Sequence, residues 1–154
     1  MAEVFITDTK IFNGASPGLR VAPTGTGAVN VTIDNSNFSN NNVGIRVDTL
    51  ASSGAINMTV TNTDLSGNTF QGFVAESGTG VIRAMLSGVT ASNNATQGIR
   101  AINGNATVFF TNSQILGNAL GTESVNGGLL RSFGNNRIEG NTNNGANPPT
   151  TPQK

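Results

Sequence analysis

The chain has 154 residues, with eight basic and eight acidic side chains, no net charge and only 10% charged residues. That balance argues against a partner held by bulk electrostatics, so neither nucleic acid nor an anionic membrane is expected. The absence of Cys, His, Tyr and Trp excludes disulfides, thiolate and imidazole metal sites, the usual general base and the best sugar-stacking rings. No run of ~18 apolar residues is present to span a bilayer.

From the N-terminus, Val4 and Ile6 alternate as one buried strand face would, followed by Asp8 at a corner and Ile11 as an apolar anchor. Gly18-Leu19-Arg20-Val21 then reads as a return strand. The same order begins again at Val29, Val31 and Ile33, with Asn35 at the corner, Phe38 as anchor, Asn41 three residues later and Gly44-Ile45 opening the return. A third beat runs Ile56, Met58, Val60, Asn62, Leu65, Asn68 and Gly72-Phe73. A fourth runs Ile82, Ala84, Leu86, Gly88, Ala91, Asn94 and Gly98-Ile99. The fifth has Ala106, Val108, Phe110, Asn112, Ile115, Asn118 and the weaker Gly121-Thr122. The sixth aligns as Leu129, Arg131, Phe133, Asn135, Ile138 and Asn141.

A strand-like repeat of 23–27 residues is the signature of a solenoid. The period-two alternation gives each beat a strand with one buried face. The predicted fold is all-β: a single-stranded right-handed parallel β-helix of about six coils, starting near residues 4, 29, 56, 82, 106 and 129. Stacked at ~4.8 Å, six coils make a rod about 25–30 Å long whose core is rows of Ile, Val, Leu and Phe. Asn suits the corners because it tolerates the left-handed region and bonds nearby backbone. Two ladders are expected, one of Asn41, Asn68, Asn94, Asn118 and Asn141, the other of Asn35, Asn62, Asn112 and Asn135. The coils fill residues 1–142, and residues 143–154, with Pro148, Pro149 and Pro152, read as an extended tail leaving the last coil.

The corner asparagines and stacked strands of residues 4–141 resemble the right-handed parallel β-helix repeat family of the pectate-lyase-like superfamily. The stretch Ser132-Phe133-Gly134-Asn135-Asn136-Arg137-Ile138-Glu139-Gly140-Asn141 looks like the last coil of uncharacterised bacterial β-helix-repeat proteins. The resemblance implies the fold, but the family spans lyases, hydrolases, epimerases, adhesive fibres and proteins with no assigned role. It also implies an extracytoplasmic location, although Met1–Lys10 lacks the form of a signal peptide.

Lyases of the family use calcium held by several acids with an Arg or Lys as base, and no matching set stands here. Asp34 and Asp64 are scattered, and only Asp48 and Glu76 share a position on neighbouring return strands. Two side chains make a poor calcium site, since that ion takes six to eight oxygens. No catalytic residue, cofactor or metal ligand is therefore expected. The Gly-rich run Gly25-Thr26-Gly27 lacks the Lys and helix of a phosphate loop and reads as a turn.

Two faces point to a ligand or partner. Arg20, Arg46 and Arg100 fall in one row that Val74 interrupts and Glu123 ends, a stripe suited to acidic sugars. On the outer side of the first strand, Phe5, Thr32, Thr59, Met85, Phe109 and Leu130 align, so Met85, Phe109 and Leu130 form an expected apolar interface. The first coil has no capping element before Val4, and the expectation is that it belongs to a longer β-helix or is covered by a second copy. The functional expectation is a non-enzymatic structural, adhesive or carbohydrate-contacting scaffold. The alternative is a remnant or part of a polysaccharide lyase or glycoside hydrolase.

Overall fold

A computed structural model describes residues 1–152. The alternating runs form one strand per coil in a long parallel sheet of six strands. These are β1 (Ala2–Thr7), β4 (Val29–Asp34), β7 (Ile56–Thr61), β9 (Ile82–Ser87), β12 (Ala106–Thr111) and β15 (Leu129–Ser132). The return strands make a second six-stranded parallel sheet: β3 (Leu19–Val21), β6 (Ile45–Asp48), β8 (Phe73–Glu76), β11 (Gln97–Ile102), β14 (Leu120–Val125) and β17 (Asn143–Gly145). The anchors sit on a third, narrower face. There β2 (Lys10–Phe12) pairs with β5 (Asn37–Ser39), and β10 (Thr90–Ser92), β13 (Gln114–Leu116) and β16 (Arg137–Glu139) stack in order. Single bridges from Asn37 to Asp64 and from Asp64 to Thr90 join the two parts. The described residues contain no helix, and hence none long and apolar enough to cross a membrane. The molecule is a parallel β-solenoid of about six turns, as the repeat predicts.

In coils two to five the core is the set of rows read from the sequence. Ile33, Val60, Leu86 and Phe110 are fully buried, as are the anchors Phe38, Leu65, Ala91 and Ile115. At the corner after each anchor, Asn41, Asn68, Asn94 and Asn118 are buried and joined in a continuous ladder that ends on Asn141. Each backbone N–H donates to the Oδ1 of the next Asn, at 2.9–3.0 Å. From Asn68 onward each side-chain Nδ2 donates to the same oxygen at 2.9 Å. The ladder explains the recurring Gly of the return strands. A Cβ on Gly72 would lie 2.9 Å from Asn94 Nδ2 and 2.8 Å from Gly98 O, so only Gly fits beside the rung.

The second set of asparagines works differently. Asn35, Asn62 and Asn112 have φ of 46°, 47° and 49°, and their role is to supply the left-handed corner that most side chains resist. Asp8 and Gly88 fill the same slot in coils one and four. A second left-handed corner stands immediately before the ladder Asn, occupied by Asn13, Asn40, Gly67, Asn93, Gly117 and Gly140. The two expected Asn ladders leave out this second corner, where Asn alternates with Gly.

The sixth coil departs from the expected alignment by one residue. Leu130, not Arg131, pairs with Val108, and Arg131 pairs with Phe109. Leu130 is therefore core at 4% exposure, while Leu129 stands outside at 40%. The cause is one extra residue between Ser132 and Ile138, absorbed in the corner. Because side chains alternate, a shift of one exchanges the two faces. Gly134, with φ of 84°, takes the left-handed slot expected for Asn135. Asn135 instead reaches across the corner. Its Nδ2 donates to Asn112 Oδ1 at 2.8 Å, and its Oδ1 accepts from Asn112 N at 3.1 Å and Thr111 Oγ1 at 2.9 Å.

The C-terminal segment also differs from the expected departing tail. Residues 143–145 form β17, paired with β14. Beyond it the chain turns back under the last coil. Ser132 N donates to Pro149 O at 3.2 Å, Thr151 N donates to Ser132 O at 2.7 Å, and Pro148 is buried. The tail thus covers the end of the solenoid that follows β15.

Candidate functional site

The solenoid places chemistry on outward rows, because every inward position is filled by the core. On the return-strand sheet, Arg20 lies beside Arg46, then come Val74, Arg100 and Glu123, as the spacing predicts. The row carries its own counter-ions. Asp48, whose side chain is only 3% exposed, receives Arg20 Nε at 2.8 Å and Arg46 Nε at 3.3 Å. Arg46 also pairs with Glu76 through Nη2, and Arg100 Nε lies 2.6 Å from Glu123, though out of line for a hydrogen bond. Burial pushes the Asp48 carboxyl up, but hydrogen bonds and charge from Arg20 and Arg46 outweigh it and hold it below the usual carboxylate range. The hydrogen bond and charge of Asp48 in turn raise the Arg20 guanidinium. This face is an ion-pair ladder in which stacked like charges are relieved from the next coil.

The same contacts define the acids. Asp48 and Glu76 do stand side by side on β6 and β8, with Arg46 bridging them. Asp34 lies elsewhere, its carboxyl held low first by a hydrogen bond from Thr61 and also by Asn62. Asp64 accepts from Asn37 Nδ2 at 3.2 Å and from Ser66. Among the described residues no three acids come close enough to share a metal ion.

The outer face of the long sheet is different in kind. One row runs Asn30, Asn57, Arg83 and Thr107, and the next runs Thr32, Thr59, Met85 and Phe109. All of these side chains except Thr107 line a shallow groove of about 330 Å³. Asn57 Nδ2 donates to Asn30 Oδ1 at 3.1 Å, which leaves the Asn57 carbonyl free to accept. Arg83 is exposed and makes no ion pair among the described residues. At the far end Phe109 is half-buried and stacks on Phe133, with ring centres 6.4 Å apart. The apolar stripe therefore consists of Met85, Phe109 and Phe133, and Leu130 is not part of it. The misplaced register carried a warning in the sequence, since it put Arg131 in a core row.

A second internal ladder escaped the sequence reading. Two residues past the long strand stand Thr9, Ser36, Thr63, Val89 and Ser113, and in the sixth coil Asn136, four residues past its strand, takes the same place by accepting from Ser113 N. Ser36, Thr63 and Ser113 are buried, and each hydroxyl donates to the carbonyl two residues earlier at 2.7–2.8 Å. Ser36 and Ser113 also accept from the N–H of Thr9 and Val89 in the preceding coil at 3.2 Å. These hydroxyls satisfy corner backbone and are structural. No family model, curated protein or solved structure matches this chain.

Proposed function

We propose that this chain is a non-enzymatic module of the pectate-lyase-like β-helix kind, a structural or adhesive scaffold that contacts carbohydrate through the outer face of its long sheet. The corner Asn ladder and the three parallel faces of the coil support the kinship in fold. The observation that carries the functional reading is the groove over Asn30, Asn57, Arg83, Thr32, Thr59, Met85 and Phe109. Amides offer both donors and acceptors, the guanidinium offers a fork of donors, and the Met85–Phe109 end offers an apolar shelf. Sugar hydroxyls and C–H faces need that mixture, repeated along one direction. The solenoid supplies it at a ~4.8 Å step. An extracytoplasmic site of action accords with such a role.

A lyase or hydrolase remnant has weaker support, because the acid pair Asp48 and Glu76 is engaged with arginines. The test is a glycan array followed by titration of any bound glycan. Arg83→Ala and Asn57→Ala should each weaken binding about ten-fold, the worth of one hydrogen bond to a charged or fixed polar group. Both positions are exposed, so the fold should stay intact by circular dichroism. Glycan binding that ignores both substitutions refutes the assignment. Calcium-dependent release of unsaturated ends from polygalacturonate or alginate would favour the enzyme reading instead.

A further inference from the structure

The two ends of this solenoid are unlike. The end after β15 is covered by the chain's own tail, with Pro148 buried and Ser132 bonded to Pro149 and Thr151. The other end is open. β1, β2 and β3 are the terminal strands of their sheets. Val4 and Ile11, which stand in core rows above Val31 and Phe38, are 39% and 40% exposed. Phe5 and Phe12 beside them are 71% and 59% exposed. With Met1, this one coil holds five of the eight large apolar side chains that are exposed among the described residues, which marks it as a surface for association.

We propose that this end docks on the same end of a second copy of the chain, across a two-fold axis normal to the long sheet and passing midway between the two Phe5 residues. Between copies of this chain, head-to-tail stacking would need the covered end, so the open end of one copy meets the open end of the other and the assembly closes at two. A two-fold normal to the sheet runs β1 of one copy antiparallel to β1 of its partner. Side chains alternate, so only registers that keep inward rows on one side are allowed. The register centred on Phe5 sets Val4 opposite Ile6 and Phe5 opposite its own mate, apolar against apolar. Centring on Val4 instead would set Glu3 against Phe5. The contact also has a workable size. Coil one, residues 2–28, matches the roughly 20–30 residues that a standard interface takes from each partner.

The chain lacks cysteine, so a single introduced thiol reports the geometry. Opposed residues across an antiparallel pair have Cα atoms about 4.5–5.5 Å apart, within disulfide range. Mild oxidation of Phe5→Cys should give one covalent dimer and nothing larger. Thr32→Cys, on the same outward row one coil away, should stay monomeric on a denaturing gel. Its mate would lie ~14 Å distant, three strand spacings, beyond that range. Light scattering of the unmodified chain should show a dimer that Phe5→Asp converts to monomer with an unchanged circular dichroism spectrum. A monomer at every concentration overturns the proposal. So does equal cross-linking of both cysteine variants, or assemblies larger than two.

Discussion

Replacing Asn68 by Ala removes one rung from the middle of the corner ladder, and the contacts of that rung set the cost. Asn68 is buried; its Oδ1 accepts the Asn41 backbone N–H at 2.9 Å, and its Nδ2 donates to Asn94 Oδ1 at 2.9 Å. The backbone N–H at this position bonds Asn94 Oδ1 whichever side chain is present, so Asn94 retains a partner in the variant. Asn41 does not. Its N–H is left without an acceptor in a buried corner, which costs about 1–3 kcal/mol, and the lost Nδ2 bond adds ~1 kcal/mol. The sum is about 2–4 kcal/mol. In a domain of this size each kcal/mol is worth about 2–4 °C, so the thermal transition should fall by about 4–16 °C. Urea denaturation followed by far-UV circular dichroism should give the matching drop in midpoint. Asn62→Gly is the control. Asn62 is exposed with φ of 47°, and Gly adopts that conformation freely, so its midpoint should barely move. An Asn68→Ala protein that unfolds with the wild type, or an equal loss in Asn62→Gly, would show that the ladder bonds do not hold the corner.

The sixth-coil register is tested by a pair of substitutions: Leu130→Ala should cost about 2–3 kcal/mol as a core truncation. Phe109→Ser should cost about 1–2 kcal/mol, mostly the stack with Phe133, and thermal scans that rank them the other way would refute the assigned faces. Asp48 has a lowered folded-state pKa, so its stabilising contribution is complete above the unfolded value of about 4 and is lost as pH falls through the folded value. Wild type should therefore exceed Asp48→Asn in urea midpoint by a constant margin above about pH 5, a margin that shrinks below about pH 4. A margin independent of pH would mean the Arg20–Asp48–Arg46 contacts contribute nothing to stability.

Coil count, strand starts, core rows and the Asn ladder were readable in the sequence because a solenoid is nearly one-dimensional. Each coil touches only its neighbours, so aligning repeats is equivalent to aligning contacts. Leu86 lies over Phe110 in space for the same reason that the two align on paper. The long strands of coils two to six begin at residues 29, 56, 82, 106 and 129, where the alternation places them. The Arg row was legible as a row, but its meaning was not. Arg20 reaches Asp48 two positions along the neighbouring strand, a diagonal contact that vertical alignment of identical positions does not bring out.

What the sequence determined by itself was thus everything that repeats. The tertiary structure decided what breaks the repeat. An extra residue beside Gly134 moves Leu130 inward and Arg131 outward, and alternation alone gives no sign of where such a residue enters until the coil is paired. The tail has no repeat to align with, so its return to Ser132 depends on where the last coil leaves backbone groups unpaired. The physical reason is common to both. Local patterning fixes which residues want to be buried, but pairing of backbone N–H and C=O groups between distant segments fixes which of two faces they reach.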